Sequence, residues 1–474
     1  MIQWRNHERT VVRRIFIIAF LMEACYFSLY AAPRGPAEVL FFLGVNGATY
    51  LLFCAALWSI RPAARSAHDL QDAPRDDSHA VWMILACGLL FRLTLVPHHV
   101  VGSDDIYRYL WDGKVLAAGV NPYAYLPTDR HLSFLASADL PALVNHPDLR
   151  TIYPPLAQAF FWFSSILWGE SVAGFKLLLV LADALTMVIL AAFLRGQEGR
   201  AWKVMLYAWS PLPVLYFGLD GHIDAIGIPF LILALLFLCT GRKMRGALAL
   251  GFGMLAKLAP VIVVPFLLGR NGGGRTAGHP SGSAPAGGSR WFFRALLAGL
   301  PLAILGGGYL LFLEPTWGIA DSLMTFGSRW EFNGGIFYLL HGMIGVNETT
   351  HLVCGIAIVG WIAFLTLRDL PLVEKVFWGF TGFFLLSPVV HPWYLTWLAA
   401  LLALRWSPAV CAFLGLSCVA NLVVYQYRAF GLWTDQPLLL LMEYVPVGIL
   451  LVREILRHEV LTAAGADRRP AARR

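Results

Sequence analysis

Long apolar runs separated by short, basic connections set the pattern of this chain. The apolar stretches lie at 15–31, 37–60, 80–97, 172–195, 201–218, 223–240, 292–313, 351–367, 374–390, 393–404, 408–425 and 437–456. Many reach the roughly 18 residues a helix needs to cross a hydrocarbon core about 30 Å thick. The pattern predicts an all-α polytopic membrane protein with about 12 transmembrane helices. The connections carry Arg61 and Arg65; Arg195, Arg200 and Lys203; Arg242, Lys243 and Arg245; Arg368 and Lys375; and Arg405. Assigning all of these to the cytoplasm keeps both termini inside and puts 98–152 on the outer face.

Two apolar segments depart from simple crossings. Residues 153–168 are short for a span and open on two prolines, which predicts a helix dipping into the outer leaflet or lying along it. Residues 246–268 have basic connections on both sides and are interrupted by Lys257 and Pro260, which predicts a re-entrant pair of half-helices. Residues 1–79 then form a two-helix hairpin and a cytoplasmic loop, 80–405 the membrane core, and 406–462 the last membrane helices. The Gly/Ser/Pro-rich 269–290 is expected to be a disordered cytoplasmic linker, and 463–474 a disordered tail.

Composition narrows the function classes. Hydrophobic residues make up 58% and charged residues 14%, against about 45–50% and about 25% in a globular domain. The net charge of +7 sits in the connections and at the ends, so it reports topology and not a nucleic-acid surface. The seven cysteines all fall in apolar runs, so neither a disulfide framework nor a zinc site is indicated. The apolar run after MIQWRNHERTVVRR lacks a clear cleavage site and is expected to stay attached as the first span. No glycine pattern of the dinucleotide-binding type follows a strand, and no soluble domain could hold a nucleotide sugar. That favours a lipid-linked donor for any sugar chemistry.

Against this background the outer segment VGSDDIYRYLWDGKVLAAGVNPY, residues 101–123, is densely charged. Its spacing predicts a helix capped by Ser103, with Asp105, Arg108 and Asp112 on one face. Ile106, Tyr109, Leu110 and Gly113 form another, which suits a helix lying flat on the membrane surface. Low dielectric and the repulsion between Asp104 and Asp105 raise carboxylate basicity, which suits a general base. The plainer reading is ion pairing along an exposed helix. His222 and Asp224, with Asp220 nearby, form either a site or a His–Asp pair that stabilises its loop. Lys257 pairs either with carbonyls at the Pro260 break or with a lipid phosphate. His391 marks a helix break in the run HPWY, which also holds Tyr394.

The segment SDDIYRYLWDG…GVNPY, followed by TIYPPLAQ at 151–158, resembles the first outer loop of the GT-C superfamily of membrane glycosyltransferases. It is most similar to the polyprenyl-phosphate-mannose-dependent mannosyltransferases, including the GPI mannosyltransferase catalytic-subunit type. Further matches lie in WSPLPVLYFGLDGHIDAIG (209–227), LAKLAPVIVVPFLL (255–268) and SPVVHPWYLTWLAAL (387–401), so the resemblance runs from about 80 to about 405. Here the acidic loop follows the third span and not the first, and the acidic pair is Asp-Asp where some relatives have Asp-x-Asp or a single Asp.

The resemblance implies a GT-C-like fold and an inverting glycosyltransferase in the cell (inner) membrane, with its active site on the periplasmic face. It would move a sugar, with mannose the one indicated, from a polyprenyl-phosphate donor to a lipid or glycan acceptor. Asp105 is the favoured base and Asp104 the alternative. Arg108, Lys114, Arg329 and His391 are candidate cations for the departing phosphate. Asp112, Tyr153, His222, Asp224, Lys257 and Tyr394 are candidate substrate contacts. No cofactor is required; paired aspartates can bind a divalent cation, but the ligand set is incomplete. Two rival classes carry the same features: a secondary transporter or lipid flippase, and a polymerase or ligase of lipid-linked glycans. Transporters usually bury their site at the midplane between repeated halves, and no repeat is visible here.

Overall fold

The computed structural model describes residues 2–60, 78–196, 201–269, 287–312 and 319–466. The interior of the expected linker at 269–290, the loop that follows residue 60, and most of the expected tail lie outside the described residues. The described chain is all-helical, with only isolated backbone bridges that join Phe332 and Asn333 to Val389. Its first helices are α1 (Ile2–Ser28), α2 (Pro36–Ile60), α3 (Ser78–Leu95), α4 (Asp105–Ala117), α5 (Pro155–Trp168) and α6 (Val172–Arg195).

Among the described residues, six stretches are long and apolar enough to cross a membrane: Val12–Ala31, Pro36–Ser59, Val172–Arg195, Trp291–Leu310, Asn347–Leu367 and Pro408–Phe430. The remaining predicted spans are shorter or interrupted, except the long helix Pro437–Ala466, which carries Glu443, Arg453 and Glu454. The clearest departure is 201–218, predicted as one span. It is a series of short turns, with breaks around Ser210 and a widened turn at Val214–Leu219. Pro211 and Pro213 cause this: each lacks an N–H, so the helical ladder cannot run through them. The predicted break at 257–260 is present. Helix Lys243–Ala256 stops at Lys257, whose backbone is extended, and the chain resumes through Ala259–Val263 into Val264–Leu268.

The interior is largely apolar but also holds buried charged groups, and many large apolar side chains lie on the outside. Phe16, Phe20, Leu51, Trp58, Trp82, Leu185 and Leu311 are exposed, as expected of a surface that lipid covers. Inside, Arg92 of α3 pairs with Asp183 of α6, and both side chains are wholly buried. Tyr207 donates to the same carboxylate, and Arg92 also donates to the carbonyls of Gly88 and Ala208 at 2.8 and 2.7 Å. A Cβ at Gly88 would lie 2.7 Å from the Ala208 oxygen, so glycine is what lets the 201–222 segment settle on α3. One buried apolar cluster draws on residues from Ile15 to Val447.

Helix α4 does not lie flat on a surface. Ile106, Arg108, Tyr109, Leu110, Trp111, Asp112, Gly113 and Val115 are all buried, so along most of its length only a narrow, half-buried strip at Tyr107 and Lys114 reaches toward solvent. Gly113 is the reason: a Cβ there would fall 2.3 Å from the carbonyl oxygen of Phe161, and without one α5 packs directly across.

Candidate active site

Two connections meet at the start of α4. The Lys176 ammonium, buried in α6, donates to the carbonyls of Leu95, His98 and Leu219 at 3.2, 2.5 and 3.0 Å. The Asp220 carboxylate accepts from the backbone N–H groups of Val101 and Gly102 at 2.8 and 3.0 Å. A side chain at Gly102 would strike that carboxylate at 2.6 Å. Burial outweighs these donors and pushes the Asp220 carboxyl up to about 6. The two loops are thereby tied together, and the tie places Asp104 and Asp105 beside His222.

Helix α4 begins at Asp105, whose N–H lies 3.3 Å from the Ser103 hydroxyl, with Asp104 at the preceding cap position. Asn145 bridges the two aspartates, donating to Asp105 at 2.6 Å and to Asp104 at 3.0 Å. The Tyr109 hydroxyl reaches Asp105 at 3.3 Å, and His222 Nδ1 stands 3.7 Å away. Burial, and then repulsion from Asp104, push the Asp105 carboxyl up to about 6 against the lowering pull of Asn145, Lys257 and Tyr109. Its side chain is still 23% exposed, so the carboxylate is held and open at once.

The remaining predicted residues divide into those that join this group and those that do not. Arg108 does not pair with Asp105. It binds Asp112 at 2.9 Å and the Leu149 carbonyl at 2.9 Å, while Gln158 of α5 ties Asp112 to Thr151. That bracket joins α4, the loop that follows it and α5. Tyr153 packs edge-on against Tyr109, and its carbonyl accepts from the Tyr123 hydroxyl at 2.6 Å, linking the GVNPY turn to the IYPP segment.

Asp224 is not the partner of His222. It accepts from Lys257 at 2.9 Å and from the Trp397 indole at 2.6 Å. Lys257 therefore has a carboxylate and not backbone carbonyls as its partner, and it also stands 5.1 Å from the Tyr394 ring. Burial, and then the Lys257 charge, lower the proton affinity of His222 and His391, and that charge steadies ionised Asp105. The His391 imidazole is pushed down to about 3 by burial, then by Lys257 and His146. Two candidates stand apart. Lys114 is committed to Glu170 at 2.5 Å near the far end of α4. Arg329 is exposed at the end of helix Ile319–Arg329.

Asn145, His146 and Trp393 escaped the sequence reading. A single asparagine in a long loop carries no pattern; the only trace was the Asn-His-Pro run at 145–147. His146 adopts φ 46° and packs its ring 4.3 Å from that of Trp330. Among the described residues, Glu38, His98 and His99 bring possible ligand atoms within 4.8 Å of one another. Arg34 at 3.2 Å and Arg428 at 3.6 Å already neutralise Glu38, so this donor set fits ion pairing better than a metal.

The assembled group offers a partly open, proton-ready carboxylate, two neutral imidazoles, a lysine across from them and tyrosines between. This suits deprotonation of a hydroxyl beside an anionic group. No curated protein and no solved structure matches the chain. A family model does: MptA_B family, alpha-(1->6)-mannopyranosyltransferase, N-terminal domain, over residues 21–270, just over half of the chain. That range holds Asp104, Asp105, Asn145, His222, Asp224 and Lys257, though not His391 or Tyr394. The chain belongs to this family of membrane mannosyltransferases.

Proposed function

We propose that the protein transfers one mannose from a polyprenyl-phosphate donor to an acceptor hydroxyl at the outer face of the membrane, with inversion at the anomeric carbon. The acceptor oxygen attacks that carbon as its proton passes to Asp105. The bond from the anomeric carbon to the phosphate oxygen breaks, and polyprenyl phosphate leaves with the electron pair. Lys257 is the cation best placed to receive the growing negative charge. Its side chain is 21% exposed while its partner Asp224 is wholly buried, so it has room for a second anionic contact. The family name supports an α-(1→6) linkage, which makes a primary hydroxyl of a mannoside the acceptor group.

The observation that carries this reading is the partly exposed Asp105 carboxylate, held by Asn145 at 2.6 Å and faced by His222 Nδ1 at 3.7 Å, with burial pushing it up to about 6. A base titrating there is about nine-tenths ionised at pH 7, yet takes a proton more readily than an ordinary aspartate. The decisive experiment offers purified protein in lipid nanodiscs either polyprenyl-phosphate mannose or a nucleotide-linked mannose, with octyl α-mannoside as acceptor. Octyl dimannoside is expected only from the lipid donor. Product formed from the nucleotide donor alone would overturn the proposal.

A further inference from the structure

Four rings form a continuous column behind the aspartates. Trp393 lies between His222, with centroids 4.0 Å apart and planes 16° from parallel, and His391, at 4.2 Å and 9°. Phe332 covers the far face of His391 at 4.4 Å and 21°. The column begins at His222, 3.7 Å from Asp105, and ends at Phe332 in a different part of the chain. Neither ring nitrogen of buried His222 has a hydrogen-bond partner within the protein, so its angle is held chiefly by the rings packed on it, Trp393 and Tyr216.

What fixes Phe332 is its neighbour Asn333. The Phe332 N–H donates to Pro388 at 3.0 Å, and its carbonyl accepts from Val390 at 2.8 Å, which docks the strand-like segment onto the break before His391. Asn333 then turns the chain at φ 53°, in the left-handed region. Its backbone groups and its side-chain Nδ2 are all used. Its N–H donates to Asp435 at 2.9 Å and its carbonyl accepts from Tyr444 at 2.6 Å. Its Nδ2 donates to Glu443 at 3.0 Å and to the Val390 carbonyl at 3.3 Å. Asn333 is 2% exposed and Glu443 is wholly buried within the long helix Pro437–Ala466. A carboxylate is costly there, and the polar partner it meets is the side chain that turns Phe332 onto the column.

We infer that Asn333, anchored by Glu443, is a positioning residue that sets the approach of His222 to Asp105 through the column Phe332–His391–Trp393. Neither residue touches the reacting atoms, and both lie outside residues 21–270. The inference rests on the transferase reading, and a substrate-independent measurement separates the two. A shift of about 1 Å in reacting geometry costs up to about a hundredfold in rate.

The test uses full-length protein in nanodiscs, with polyprenyl-phosphate mannose and octyl α-mannoside. Asn333→Gly keeps the left-handed backbone without strain but removes the amide; Glu443→Ala removes the anchor; Glu443→Gln keeps an oxygen to accept from Asn333. The first two are expected to lower kcat about ten- to a hundredfold with KM for octyl α-mannoside unchanged. In the same two variants, diethyl pyrocarbonate should modify His391 faster, as read by mass spectrometry, and Glu443→Gln should restore both properties. Wild-type kcat and wild-type His391 reactivity in Asn333→Gly and Glu443→Ala would overturn the inference. So would Glu443→Gln failing as far as Glu443→Ala. If Glu443→Ala does not fold, Asn333→Gly carries the comparison alone. If the wild type transfers no mannose, the transferase reading falls while His391 reactivity still decides the positioning role.

Discussion

Asp105→Asn separates the carboxylate's chemical role from its structural one. The new amide can still accept from Asn145, but it cannot take a proton. A positioned base contributes about 10²–10⁴ in rate, so kcat/KM should fall by that factor, or about 3–5 kcal/mol in transition-state stabilisation. The same substitution should stabilise the fold. A carboxyl raised from 3.8 to about 6 in the folded state favours folding while protonated, and that benefit is lost as pH rises through the folded value. The difference of about two units corresponds to about 3 kcal/mol of strain above pH 6, which Asn relieves. The thermal midpoint of Asp105→Asn should therefore exceed that of wild type at pH 7.5 and match it near pH 4. The pH profile supplies a second readout: wild-type kcat/KM should fall tenfold per unit below about pH 6. Asp104→Asn should move that limb to lower pH, because Asp104 repulsion is the second cause of the raised value. Transfer by Asp105→Asn above a tenth of wild type, or a limb unmoved by Asp104→Asn, would refute the assignment.

Lys257→Met leaves Asp224 buried without its cation and should cost about 3–5 kcal/mol. Adding Asp224→Asn should recover the thermal midpoint but not transfer, whereas recovered transfer would remove Lys257 from the phosphate site. Gly102→Ala puts a methyl 2.6 Å from the Asp220 carboxylate, so it should lower kcat by disturbing the start of α4, measured in the same assay. A cysteine at exposed Ser133 should react with an impermeant thiol reagent in intact cells; labelling only after lysis would reverse the orientation.

Hydropathy located α1, α2 and α6 because each is long, apolar and unbroken, and a bilayer-length run has few other solutions. It misjudged 201–218, where average apolarity hides two missing backbone donors at Pro211 and Pro213. It also misjudged α4, whose burial depends on one absent Cβ at Gly113 and not on any period. The ionisable residues in apolar surroundings, Asp104, Asp105, His222, Asp224, Lys257 and His391, stood out because such groups are expensive there. Their partners did not. Lys257 finds Asp224 across 33 positions, and His222 faces Asp105 instead of the nearby Asp224. Lys114 and Arg329 stand beside Arg108 and His391 as candidate cations in the sequence because a lone cation in a loop does not reveal which way it points.

The Arg92–Asp183 pair bears on how the protein is made. The two residues are 91 positions apart, so the ribosome releases α3 well before its counter-ion exists. An arginine at the centre of a lone helix opposes membrane entry by about 2.5–3.5 kcal/mol; Arg92 sits in the last turn of α3, so it opposes entry by less than that, but still weakens α3 as an insertion signal by itself. Co-insertion of α3 with α6, from the translocon or a holding factor, avoids the isolated charge. Biogenesis of this enzyme is then a matter of timing between two helices, and neutralising Arg92 would let α3 enter early at the expense of its final seat.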